Sequence, residues 1–160
     1  MPRIARFATP CCFALLPVLF AVPVFAQDAA APAADELAAL EARANRFLET
    51  VSMDQPQLAF TELLDGSPLA QQAEALETLV EKTERLDEKY GKYRSFERIA
   101  VKPIGRDLVL MHYLYKCEVF PVVWRFTFYR TASAGDTSPA TWRVITVRFD
   151  TDLERLGFAD

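Results

Sequence analysis

The chain has 160 residues, a formal net charge of −4 at pH 7, one histidine and three cysteines. A net acidic chain with scattered Lys and Arg lacks the basic patch that nucleic acid or an anionic lipid surface requires. A single histidine cannot furnish an ordinary zinc site, and no HExxH, GxSxG, P-loop, dinucleotide or CxxC motif is present, so the sequence calls for no metal or cofactor.

The first 26 residues read as an address. Arg3 and Arg6 form a positive start, Phe7 to Phe25 carries no charge, and Val24-Phe25-Ala26 has the small residues at −3 and −1 that a signal peptidase reads. The pattern predicts cleavage after Ala26 and a periplasmic or secreted protein. An uncleaved anchor is the competing reading, since the run is long enough to span a bilayer. Pro10, Pro17 and Pro23 interrupt it and no stop-transfer charges follow, so no stable membrane insertion is expected after cleavage. Cys11 and Cys12 precede most of the apolar run, which argues against lipidation. Cleavage leaves Cys117 alone, so an internal disulfide is excluded. Cys117 reads as a small buried residue of an apolar strand; the alternatives are a reactive thiol or an intermolecular bridge.

Residues 27–34 are a small-residue linker, expected to be disordered. Asp35 is a candidate cap for a first helix, with Leu37, Leu40, Ala44, Phe47, Leu48 and Val51 forming one apolar stripe. A second helix is predicted over 56–64, with Asp54 as cap and Gly66 as stop. Ser67-Pro68 opens a third helix that runs to Gly91, its outer face a solvated band of charge. From Tyr93 the period changes to two, and strands are predicted over 93–102, 107–119, 122–131 and 142–150. Pro103-Ile104-Gly105 and Phe120-Pro121 supply turns, 132–141 is a polar loop, and Leu153 and Leu156 allow a short terminal helix. The expected fold is one α+β domain over 35–160, with three N-terminal helices on one face of an antiparallel sheet of about four strands.

If Phe120-Pro121 is a two-residue connection, Cys117 faces Trp124, Tyr115 faces Phe126 and Tyr113 faces Phe128, all on one side of the sheet. The other side pairs Lys116 with Arg125, Leu114 with Thr127 and His112 with Tyr129. One face is continuously aromatic and the other mixed polar, as a sheet covered on one side requires. A slip of one residue would exchange the faces, so the parity is more firmly specified than the pairing.

His112 and Cys117, five residues apart on one strand, project to opposite faces, so a Cys–His dyad would need a bulge between them. Asp107, Asp150 and Glu118 read as solvated or salt-bridged acids rather than as a general acid. Tyr113, Tyr115, Trp124, Phe126 and Phe128 are candidate lining for an apolar pocket, or simply core. His112, Arg125 and Tyr129 are candidates for binding an anion or a partner, or simply the solvent face.

Phe60-x-x-Leu63-Leu64-x-Gly66, a long helix ending at Tyr90-Gly91, and strands containing Trp124-x-Phe126-x-Phe128-Tyr129 and Trp142-Arg143-Val144 together resemble the small secreted bacterial members of the NTF2-like (cystatin-like) superfamily. The likeness implies a strongly curved sheet wrapped as a cone, a pocket at its wide end, and homodimers through the sheet. Catalytic relatives place an Asp or an Asp–His pair inside the cone; here the inward positions are Tyr, Cys, Trp and Phe, so no catalytic residue carries over. The leading expectation is an exported, non-catalytic domain that binds a small apolar ligand or a protein partner. A periplasmic enzyme of the cyclase or isomerase type is the alternative, and an assembly module using Lys116, Arg125, Tyr129 and Arg143 a third.

Overall fold

The computed structural model describes residues 31–131 and 140–156. The expected leader, its cleavage site, the first half of the linker (27–30) and 132–139 of the polar loop lie outside the described residues. Helices α1 (Ala34–Ser52), α2 (Pro56–Leu63), α3 (Ala73–Glu84) and α4 (Leu86–Tyr90) precede strands β1 (Tyr93–Ile104), β2 (Leu108–Cys117), β3 (Val122–Thr131) and β4 (Thr141–Asp150). The strands form a curved antiparallel sheet in sequence order, with the helices on one face: the expected α+β architecture.

Each helix follows from its stripe, and the ends hold the surprises. α1 buries Leu40, Ala44, Phe47, Leu48 and Val51, at the three- and four-residue steps that put one face of a helix inward. Its cap is Ala33 rather than Asp35, because the Glu36 carboxylate reaches back to accept from the Ala33 N–H at 3.0 Å. Asp35 falls in the first turn, where its charge still complements the helix dipole. Asp54 does not cap α2 either. It takes a left-handed conformation (φ 60°) that turns α1 into α2, and Pro56 starts the second helix.

Gly66 (φ 66°) ends this region, and a side chain there would run into the Arg143 guanidinium. Ser67 caps as expected, accepting from Leu69 N–H at 3.1 Å, and its hydroxyl donates to the Val144 carbonyl of β4. What it caps is a single 3-10 turn, Pro68–Gln71. The expected long third helix is therefore divided: the turn precedes α3, and a break at Arg85 separates α3 from α4, bringing Leu86 into the core.

In the sheet the parity holds and the register differs. Tyr113, not Cys117, lies opposite Trp124; Met111 faces Phe126 and Val109 faces Phe128. Every partner on β2 is four residues earlier than a two-residue connection would place it, an even displacement that leaves each side chain on its expected face. The cause is visible at the turn. Glu118 N–H donates to Lys92 O, and Val119 and Phe120 N–H both donate to Tyr90 O, so the end of β2 is held by the segment between α4 and β1. Pro121, without an N–H, cannot extend the ladder from the other side.

The core lies between helices and sheet. Phe47 is its centre, with ring centroids 5.0 Å from Phe60, 5.1 Å from Trp124 and 5.5 Å from Phe126, all edge-on. At one rim Arg130 donates to Glu36 (2.7 Å) and Asp107 (3.0 Å) and lies over the Trp142 ring, fastening the start of α1 to the ends of the strands.

Candidate functional site

The pairing fixes which side chains stand together on the open face of the sheet. Following the register from β1 to β4, one row is Lys102, Leu110, Thr127, Thr146; the next is Ala100, His112, Arg125, Arg148; the next is Glu97, Leu114, Val123, Asp150. Leu108 and Tyr129 are paired at one end, and Lys116 sits beside Ser95 at the other. Helices α1 to α4 lie on the opposite face, but these rows are not evenly open: Val123 and Arg125 are buried, with the chain after β4 against Arg125. Leu108, Leu110 and Leu114 remain half-buried on an open surface, Tyr129 is exposed, and Ile104 and Ile99 are exposed on the edge strand.

The charges sort themselves. Lys116 pairs with Glu97 at 2.9 Å, and Arg125 with Asp150. Arg125 is buried, and its guanidinium also reaches the Asp152 carbonyl at 3.4 Å, where the chain turns back after β4. Burial of Asp150 opposes its charge, but hydrogen bonds from Arg125 and the Asp152 N–H, with the charges of Arg125 and Arg148, carry its carboxyl below the usual range. Both acids of these rows are therefore engaged. Lys102 and Arg148 are exposed and have no ion-pair partner among the described residues. His112 is half-buried, and its pKa is lowered first by desolvation and then by Arg125 and Arg148, against a smaller pull from Asp150. It is a neutral imidazole at pH 7.

Of the three residues expected to bind an anion or partner, His112 and Arg125 are direct neighbours, Arg125 is engaged internally, and Tyr129 lies at the far end of the face. The expected Lys116–Arg125 and His112–Tyr129 pairings are replaced by Lys116–Ser95 and His112–Arg125. Sequence reasoning missed Arg148 and Lys102. The alternation of β4 places Arg148 on the outer parity, but only the register puts it beside Arg125 and His112.

The five residues offered as pocket lining are all in the core: Tyr113, Tyr115, Trp124, Phe126 and Phe128 are each at most 2% exposed. A groove of about 610 Å3 between α1 and α2 and one of about 430 Å3 between α1 and β1 are lined by none of the five. Two of their polar atoms stand out, since the Tyr113 hydroxyl and the Trp124 Nε1 are buried without a hydrogen-bond partner. Burial pushes the Tyr113 phenol up to about 12 and the Cys117 thiol up to about 11, with smaller contributions from Glu41 and Asp87 respectively. Cys117 faces the core and His112 the open side, so the two cannot form a dyad. Asp107 is bound to Arg130, and Glu118 accepts from the Lys92 N–H. Among the described residues no group of His, Cys, Asp and Glu could hold a metal ion, and no helix is long and apolar enough to cross a membrane.

Set beside protein-family models, curated proteins and solved structures, the chain matches none of them. What can be said of its activity rests on its own geometry.

Proposed function

We propose that the protein is an exported, non-catalytic binding module whose working surface is the open face of the sheet. Its partner is a protein segment that presents acidic side chains among apolar ones. The observation that carries this reading is the composition of the three rows: half-buried Leu110 and Leu114, both acids already in ion pairs, and Lys102 and Arg148 exposed and in no ion pair among the described residues. Long-range attraction would steer an acidic partner to this face, and the leucines would supply the area removed from water. A symmetric homodimer through the same face would bring two cationic sets together, so charge favours an acidic partner over a second copy.

The order of elements, helices first and then a curved antiparallel sheet covered on one side, supports the further proposal that the domain is NTF2-like. Export is supported by the charged start, the uncharged run and the small residues ahead of Gln27. N-terminal sequencing of protein recovered from outside the cytoplasm should begin at Gln27; recovery of the intact Met1 chain there would refute cleavage.

The binding reading is tested by NMR titration with a soluble peptide of alternating Glu and Leu. Amide shifts should concentrate in β2 and β3, and Arg148→Glu should weaken binding about tenfold, the scale of a lost charge-assisted contact. Shifts spread over α3, or equal binding by the variant, would reject this surface.

A further inference from the structure

We propose that the groove between α1 and α2 binds a zwitterionic short peptide with apolar side chains, its carboxylate taken by Arg46 and its ammonium by Glu62 and Asp65. The site lies on the helical side of the domain, apart from the open face of the sheet, and does not depend on it.

The groove encloses about 610 Å3, within the range of small-molecule sites. Two bases and two acids line it. Arg43 and Arg46, three residues apart, share one face of α1; Glu62 near the end of α2 and Asp65 just beyond it supply the opposite charge. Elsewhere in the domain such neighbours close on one another: Arg98 on Glu41, Arg130 on Glu36, Lys116 on Glu97 and Arg125 on Asp150. Here none does. Arg46, Glu62 and Asp65 are exposed and enter no ion pair among the described residues. Arg43 feels the charge of Asp65 but forms no ion pair with it. The reason is that Arg43 is already fixed. It donates to the Trp142 carbonyl at 3.0 Å and the Leu63 carbonyl at 3.1 Å, with its guanidinium over the Phe128 ring. It cannot swing to an acid without giving up both bonds, so the positive wall stays in place and the acids stay unsatisfied.

The chemistry of the occupant follows from the lining. The four charges sum to zero. A simple anion drawn to the arginines meets Glu62 and Asp65, and a simple cation meets the reverse, so neither is favoured. A molecule with one charge of each sign at its two ends satisfies both walls. The planar fork of Arg46 suits a carboxylate, and the two acids suit an ammonium. Phe47, Ala59 and Leu63 of the core also line the groove, so what joins the charged ends is apolar.

The dipeptide Leu-Leu, with its amidated form (no carboxylate) and its acetylated form (no ammonium), tests the site in the purified protein by NMR titration. At pH 6.5 its terminal amine is protonated. Leu-Leu should shift the amides of Ala42, Arg46, Ala59 and Leu63 and bind about tenfold more tightly than either blocked form, the scale of one charge-assisted contact. Arg46→Gln should abolish the preference over the amidated form and keep that over the acetylated form. Glu62→Gln combined with Asp65→Asn should do the reverse. All three residues are exposed, so the fold should survive these changes. Arg148→Glu, on the open face of the sheet, should leave both preferences intact. Equal binding of the three peptides, shifts away from the groove, preferences unmoved by the groove variants, or their loss in Arg148→Glu would each overturn the proposal.

Discussion

On the covered face of the sheet, Tyr113, Trp124 and Phe126 are sealed beneath α1 and α2; on the open face, Leu110, His112 and Arg148 meet solvent with no layer above them. The same two central strands supply both sets, alternating residue by residue. The covered face is held by aromatic contacts around Phe47, whereas the open face is held by two ion pairs and leaves two cations over. One face therefore accounts for stability and the other is free to serve recognition. The exception is Tyr113, whose hydroxyl is a polar atom placed where only packing was needed.

The sharpest way to break this division is at its centre. Phe47→Ala removes a ring that touches three others in a site 2% exposed, and should cost about 3–5 kcal/mol, read from the urea midpoint. A loss under about 1 kcal/mol would mean the core does not close around Phe47. Arg125→Ala comes next. It strands Asp150 and the Asp152 carbonyl, but the Asp150 side chain is 39% exposed and water can recover part of the loss, so about 1–2 kcal/mol is expected in the same measurement.

Arg148→Glu should change stability by no more than about 0.5 kcal/mol while impairing recognition of the acidic peptide. A large stability loss would show that the open face is structural after all. The smallest effect is in pH dependence. The folded His112 pKa lies below its ordinary 6.5, so on acidification the unfolded chain takes up this proton first. Stability that is whole above 6.5 declines as pH falls toward the folded value, and His112→Gln should flatten that part of the Tm profile. Asp150, whose folded carboxyl lies below its ordinary 3.8, loses its contribution only at lower pH, so the two windows separate.

Helix stripes, strand positions and the face shown by each residue of 112–117 and 124–129 were legible in the sequence, because they follow from periods of 3.6 and 2 that a few neighbouring residues establish. The aromatic side and the histidine side of the sheet could be told apart from that alternation alone. The helix ends were less legible. Asp35 and Asp54 are good capping residues by type, yet Glu36 reaching back to Ala33 and the left-handed turn at Asp54 decided the boundaries.

The candidate sites were mostly hidden, for a different reason. Arg125 and His112 were visible as outward residues, but Arg148 joins them only through a register, and Arg43 and Arg46 share a groove with Glu62 and Asp65 only where α1 packs on α2. Alternation cannot distinguish registers that differ by an even number of residues. That choice fell to the contacts of Val119 and Phe120 with Tyr90 at the end of α4. Which face each strand or helix residue shows was settled by local periodicity; which residues meet across strands and helices was settled by long-range packing, and both proposed sites depend on those meetings.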